Sequence, residues 1–387
     1  MIAYNTEWLN NLLIGEELQT AFKKENITTE EYSAAKKLYP VGFYTPNIYI
    51  RAGLFILTLI IIGFSYGLIF ILFNESNIGN IFSILCFTFS VLCYVTLELI
   101  IKKKHHFKSG VDDALLWASG GLLYAAIFLV SDMNFVIPMI FIFIYSIYLT
   151  HRFANALMGA VILYSGLLIL SLSFFTLLRY TGIFVNLFLF IISGFTYFLS
   201  KKAALKINFK FYKNAFIVIQ VVALILAYKN INYYFVSFYM QLNDGKDASN
   251  FASVLSILIW ILTIALPFCY IYMGIKNKDR LIGRVGLVLI VAIVFTIRQF
   301  YSLLPLEILM LSGGVILIAL AYYLSKYLQP EKYGFTSLPV SAELSNGRSQ
   351  IESLIIAETF SGMPQPTTST TNFGGGNFGG GGASGEF

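Results

Sequence analysis

Between residues 52 and 326 the chain carries a succession of apolar runs, each bounded by short polar breaks. A helix needs about 20 predominantly apolar residues to cross a hydrocarbon core about 30 Å thick. In lipid every backbone amide and carbonyl must pair internally, so only helices or a closed barrel can span it. Barrel strands alternate over about 10 residues, and these runs are longer and apolar on every side. With 57% hydrophobic and 12% charged residues, against about 25% charged in soluble domains, the chain has too little polar surface to fold in water. The expected fold class is all-α: a polytopic helical integral membrane protein with about ten transmembrane helices.

The ten expected spans are 52–73, 78–101, 112–130, 134–149, 154–178, 182–200, 214–230, 252–275, 281–299 and 305–326, and counts of nine or eleven also fit. The fourth is short and carries Pro138. The seventh is followed by an aromatic stretch, Tyr233 to Tyr239, that either extends it or lies in the interface. Placing the N-terminus in the cytoplasm puts thirteen lysines and arginines in inner loops, among them Lys102 to Lys104, Arg152, Lys201, Lys202 and Lys276. Only Arg179, Lys229, Lys246 and Arg298 then fall outside. That bias is the positive-inside pattern, and it sets both termini in the cytoplasm. It also accounts for the net charge of +6 without a nucleic-acid partner. Residues 1–50 contain no short apolar core before a small-residue cleavage site, so no signal peptide is expected and the first span directs insertion.

The chain divides into a polar N-terminal helical region (1–50), a transmembrane domain (51–328) and a flexible tail (329–387) that is Gly-rich from 373. In the first part, Asn5 or Thr6 can cap one helix. Thr28 with Glu31 has capping-box spacing for a second, which Tyr39-Pro40 ends. The segment Phe43 to Tyr49 is expected at the membrane surface, with the helical pair docked on the cytoplasmic ends of the spans. A short polar helical segment followed by dense spans resembles the bacterial "predicted membrane protein" families of unknown function. The ending FGGGNFGGGGASGEF, from Phe373 to Phe387, resembles the Gly/Phe-rich tails of TPM-domain membrane proteins. The first resemblance implies a bacterial inner-membrane location, and neither implies an activity or a catalytic residue.

Ionisable groups concentrate in one place, KKKHHFKSGVDD, between the second and third spans. His105 and His106 with Asp112 and Asp113 are residue types that bind metals or relay protons. Against that, adjacent loop histidines point apart, the lysines repel a divalent cation, and aspartates at a helix N-terminus serve as caps. The cap reading is the stronger. Inside the spans, Glu98 and Arg284 are expected as one interhelical ion pair and Arg298 and Glu307 as another, with snorkelling or a substrate site as alternatives. Near mid-depth only neutral groups remain, including Tyr164, Ser165, Asn186, Gln220 and Thr263. Interhelical hydrogen bonds account for them. Pro138, Pro267 and Gly313-Gly314 are expected as kinks or close-packing points.

The three cysteines, Cys86, Cys93 and Cys269, lie in apolar runs and are expected as buried small hydrophobes. The sequence contains no GxSxG, HExxH or GxxxxGK[ST], and no cofactor is implied. These features point to a non-enzymatic inner-membrane component, a scaffold, assembly or regulatory subunit. Its partners would be the lipid bilayer and proteins engaged through residues 1–50 and the tail. The alternative is a transporter, flippase or channel for a neutral or lipid substrate. It would gather Asn186, Gln220, Glu98 and Arg284 at one cavity. An enzyme at the cytoplasmic surface would need His105, Asp112, Asp113 and Arg152 to converge.

Overall fold

A computed structural model describes residues 2–23, 26–72, 78–131, 134–178, 183–244, 253–300 and 306–327. The chain divides into two compact units, Met1–Leu338 and Pro339–Phe387, and all described residues belong to the first. The tail, including Phe373, Phe378 and Phe387, lies outside them.

The described residues are all-helical, in the order α1 (Thr6–Lys23), α2 (Thr29–Leu38), α3 (Ile48–Leu72), α4 (Ile78–Lys104), α5 (Val111–Val130), α6 (Val136–Phe153) and α7 (Ala156–Leu178). They continue as α8 (Ile183–Ala204), a 3₁₀ turn (Ile207–Tyr212), α9 (Lys213–Ile231), α10 (Tyr233–Asp244), α11 (Ser253–Lys276), α12 (Arg280–Phe300) and α13 (Leu306–Tyr327). Among them, nine helices are long and apolar enough to cross a membrane. The tenth expected span corresponds to α13, whose apolar stretch Leu311–Tyr327 is shorter.

The N-terminal helices start where their caps predict. Asn5 Oδ1 accepts from the Glu7 and Trp8 amides at 2.9 and 3.3 Å. Thr28 and Glu31 exchange both capping-box hydrogen bonds, at 2.8 and 3.3 Å. The segment after Pro40 is tied to the ends of the spans. Tyr44 pairs by backbone with the loop after α4, donating to His105 O at 3.0 Å and accepting from Phe107 N at 3.3 Å. Asn47 then caps α3, accepting from Ile50 N at 2.9 Å, so the first span begins four residues before the expected start at 52.

The spans pack as antiparallel neighbours, α4 on α5, α6 on α7, α8 on α9 and α11 on α12, with α7 against α9 joining the two halves. Lipid is as apolar as leucine, so packing contacts and interhelical hydrogen bonds hold such helices together. Ser83 Oγ donates to Ala126 O at 2.9 Å and Ser90 Oγ to Ser119 O at 2.7 Å, tying α4 to α5. A Cβ on Gly159 would stand 3.0 Å from Ala215 O, so α7 and α9 nearly touch there. Pro138 occupies the first turn of α6, where a missing N–H costs nothing. Pro267 lies inside α11, and its carbonyl packs against Gly286 of α12. Cys86 and Cys93 are buried as expected, but Cys269 is exposed on α11, because its position on that helix faces away from the packed neighbours.

Asn232 ends the seventh span close to its expected limit of 230. Its extended backbone ends α9, and α10 begins as a separate helix. The break is secured by polar side chains: Asn232 Nδ2 donates to Thr296 Oγ1 at 2.8 Å, and Thr263 Oγ1 accepts from Tyr233 N at 3.0 Å. Tyr233 stacks on Trp260 with ring centroids 4.7 Å apart.

The expected basic loops gather at one end of the helices, here called the basic face. There Lys201 at the end of α8 donates to Asp279 in the α11–α12 turn at 2.6 Å. Burial raises the Asp279 pKa, but the Lys201 ammonium and the amides of Leu281 and Ile282 outweigh it, so the carboxyl titrates below its ordinary value. A depressed carboxylate contributes stability above its unfolded pKa, about 3.9, and loses it as pH falls through the folded value. Thermal unfolding should therefore separate the wild type from Asp279→Asn at pH 7, and the gap should close below about pH 4. A gap that persists or widens in acid would show that the charge is not responsible.

Candidate functional site

The loop between α4 and α5 is tightly wound, with His105, Lys108 and Gly110 all at positive φ. Gly110, at φ +93°, is required twice over, since a Cβ there would stand 2.1 Å from the Arg51 carbonyl oxygen. The close approach lets the first turn of α3 lie against the start of α5. Asp112 then turns back on the loop, accepting from Ser109 N at 2.8 Å, Ser109 Oγ at 3.0 Å and Gly110 N at 3.1 Å. The expected capping is therefore not made: the N-cap of α5 is Gly110, with no side-chain cap, and Asp112 instead holds the loop that enters the helix.

Asp113 does something else. It accepts from the Arg51 guanidinium, with Nε at 3.2 Å, and from Asn155 Nδ2 at 2.9 Å. Asn155 Oδ1 in turn caps α7, accepting from Leu157 N at 3.0 Å and Met158 N at 3.3 Å. One carboxylate thus fixes the starts of α3, α5 and α7.

Glu98 pairs with Arg152 and not with Arg284, which is exposed on α12. The contact is bidentate, with Nε–Oε1 2.8 Å and Nη2–Oε2 3.0 Å, and Tyr94 and Lys102 add bonds at 3.0 and 3.3 Å. Helix order explains the change: α4 and α6 both pack on α5, and the Glu98 and Arg152 side chains meet across it, whereas α12 packs on α9, α11 and α13. Arg298 is exposed at the far end of α12, and the side chain of its expected partner Glu307 lies outside the described residues.

Of the expected helical pair, α1 and the residues before it pack on this face, whereas α2 has no buried residue. Ala3 N donates to Arg152 O at 2.9 Å. Tyr4 is 8% exposed and wedged edge-on among Phe107, Phe43 and Phe153, at 5.0, 6.0 and 6.5 Å. Burial, then the charges of Asp112, Asp113 and Glu98, raises its phenol well above the usual pKa, so it stays neutral. The histidines point apart: His105 meets the Trp8 ring at 5.0 Å, while His106 Nδ1 bonds Ser109 Oγ at 2.8 Å. Burial lowers the His106 pKa, with help from Lys104 and against Asp112. Among the described residues no group of three His, Cys, Asp or Glu side chains stands at metal-binding spacing.

Replacing Tyr4 by alanine should empty the wedge at a cost of about 3 kcal/mol, the scale of aromatic truncations in packed cores. Limited proteolysis should then cut within residues 1–47 while the spans stay intact, and Tyr4→Phe should resist. Equal resistance of the alanine variant would contradict the docking role.

Beneath the docked region lies a cavity of about 680 Å³. Its roof is one face of α1, with Leu9, Leu12, Leu13, Glu16 and Glu17, and its floor holds Arg51, Asp112 and Asp113. Lys108, Lys210 and Lys213 complete the wall, with Lys210 over the Phe211 ring at 5.0 Å. The structure therefore brings Asp112 and Asp113 together at a cavity, but not with His105 or with Arg152, which is held by Glu98. Tyr4, Arg51 and Asn155 were not singled out in the sequence, and Lys210 and Lys213 counted there only as inner-loop charges. An arginine four residues after Asn47, in a span's first turn, was the one usable signal.

Deeper in the membrane, Asn186 and Gln220 are buried on different helices. Asn186 Nδ2 has no hydrogen-bond partner and faces a void of about 20 Å³, room for one water. Between α5, α6 and α7 lies an apolar groove of about 540 Å³, lined by Trp117, Gly121, Tyr124, Ile142, Val161 and Tyr164 among others.

Fold and site together define a multi-pass helical membrane protein with its charged chemistry gathered at the basic ends of its spans. No protein-family model matches the chain, and neither a curated protein nor a solved structure matches it.

Proposed function

We propose that this chain is a non-enzymatic component of a bacterial inner membrane, a scaffold, assembly or regulatory subunit that works through contacts at its basic face. The face is taken as cytoplasmic on the positive-inside pattern. One observation carries the reading. Glu98, Asn186, Gln220 and Arg284, the residues a mid-membrane substrate site would gather, have separate surroundings, and the large polar cavity sits at the membrane surface under the docked N-terminal region. A surface so built suits recognition more than passage.

Protein partners would engage residues 1–50 and the Gly/Phe tail. Deleting residues 363–387 should remove co-purifying partners without affecting insertion. Identical partners with and without those residues would rule out recruitment by the tail.

The apolar groove favours one second reading, movement of a lipid between leaflets. Vesicles containing the protein and a headgroup-labelled lipid distinguish the two. Quenching of inner-leaflet label no faster than in protein-free vesicles fits a binding component, and faster quenching fits a flippase.

A further inference from the structure

The cavity and the groove share two helix faces. On α5, Asp113 at the cavity floor is followed by Trp117, Gly120, Gly121 and Tyr124 in the groove, spaced four, seven, eight and eleven residues on. That spacing is one helical stripe. On α7, Leu157 in the cavity wall is followed by Val161 and Tyr164 in the groove at the same kind of spacing. From Asp113 to Tyr124 the stripe runs about 16 Å at 1.5 Å per residue, about half of a 30 Å hydrocarbon core. Chamber and trough therefore lie one after the other along the same faces of α5 and α7, the trough itself running about 10 Å from Trp117 to Tyr124. The chamber's volume falls within the range that encloses small ligands, about 300–1,000 Å³.

The charges narrow the occupant. Four basic and four acidic side chains line the chamber, so its formal charges cancel. Arg51 and Asp113 neutralise each other, and Asp112 is spent on the Ser109 and Gly110 amides of the loop. What remains is segregated, with Glu16 and Glu17 on α1 and Lys108, Lys210 and Lys213 on the loops and the start of α9. A chamber with cations on one wall and carboxylates on another is complementary to a head that carries both signs. Lysine ammonium groups suit a phosphate. Carboxylates accept N–H hydrogen bonds, which a primary ammonium donates and a trimethylated one does not.

We propose that the chamber and groove hold one phospholipid of the phosphatidylethanolamine type. Its phosphate lies towards Lys210 and Lys213, its ammonium towards Glu16 and Glu17, and an acyl chain lies along the Trp117–Gly121–Tyr124 stripe. This rests on the basic face being the working surface of the protein and names what that surface recognises.

The test is native mass spectrometry of the delipidated full-length chain offered equimolar phosphatidylethanolamine, phosphatidylcholine and phosphatidylglycerol with identical acyl chains. The wild type should retain about tenfold more of the ethanolamine lipid than of either competitor, the scale of one charge-assisted hydrogen bond. Glu16→Gln with Glu17→Gln should abolish that preference. Lys210→Ala with Lys213→Ala should lower retention of every lipid about tenfold. Gly121→Leu should do likewise by filling the groove, since no atom lies within 4 Å of a Cβ there and the fold has room for it. Equal retention of all three lipids would overturn the proposal, as would preference for the glycerol lipid. So would displacement by chain-free glycerophosphoethanolamine at the same concentration, because the groove would then contribute nothing. The wild-type competition decides selectivity without any variant. Partner loss on tail deletion is read separately, so lipid binding and the scaffold reading can fail independently.

Discussion

Replacing Gly110 with alanine is expected to destabilise the protein by at least about 4 kcal/mol, at the extreme of single-substitution effects. Two costs add. At φ +93° an L-residue is strained, worth about 1–3 kcal/mol. The added Cβ would also stand 2.1 Å from the Arg51 carbonyl oxygen, a backbone atom that moves only if α3 moves. Displacing α3 would in turn pull Arg51 from Asp113 and loosen the α7 start held through Asn155. Thermal unfolding of the detergent-solubilised protein should show the loss, with Gly121→Ala near neutral as the control in open space. A Gly110→Ala variant as stable as the wild type would refute the close approach of α3 to the α5 N-terminus.

The second large effect belongs to Glu98 and Arg152. The Glu98 side chain is 13% exposed and that of Arg152 23%, so removing either leaves a largely buried charge. Breaking such a pair costs about 3–5 kcal/mol. Glu98→Ala and Arg152→Ala should each fall near the lower end, because Lys102 remains beside the glutamate and water reaches the face. The double variant should lose clearly less than the sum, as coupled partners do. Additive losses would mean that the two side chains act independently.

The architecture was legible because it depends on run length. Spans are set by how many apolar residues follow one another, and the helices fall within a few residues of the expected limits. Caps were legible for the same local reason, as at Asn5 and Thr28. The end of the seventh span was legible to one residue, but the choice between extending it and starting a separate helix at Tyr233 was not, because it depends on Thr263 and Thr296, which α11 and α12 bring from far along the chain. The ion pairs were misread on similar grounds. Counting turns from each helix end placed Glu98 and Arg284 at equal depth, but depth does not say which helices are neighbours. With α4 and α6 both packed on α5, Arg152 reaches Glu98 and Arg284 does not.

The cavity was the least legible feature. It is bounded by α1, the starts of α3, α5, α7 and α9, and two turns, and no single stretch of sequence contains it. The histidine–aspartate loop that dominates the sequence supplies one wall. Its histidines are engaged with Trp8 and Ser109, and its aspartates hold the helix starts in place.

The most direct test of the account is a high-resolution structure of the full chain in lipid nanodiscs, inspected for density in the cavity and at mid-depth. The account predicts α1 seated over the basic ends of the spans, with elongated density running from the Lys210–Lys213 wall past Trp117 to Tyr124. A water-filled passage at mid-depth lined by Asn186, Gln220 and an ionisable residue would contradict it and make the protein a transporter.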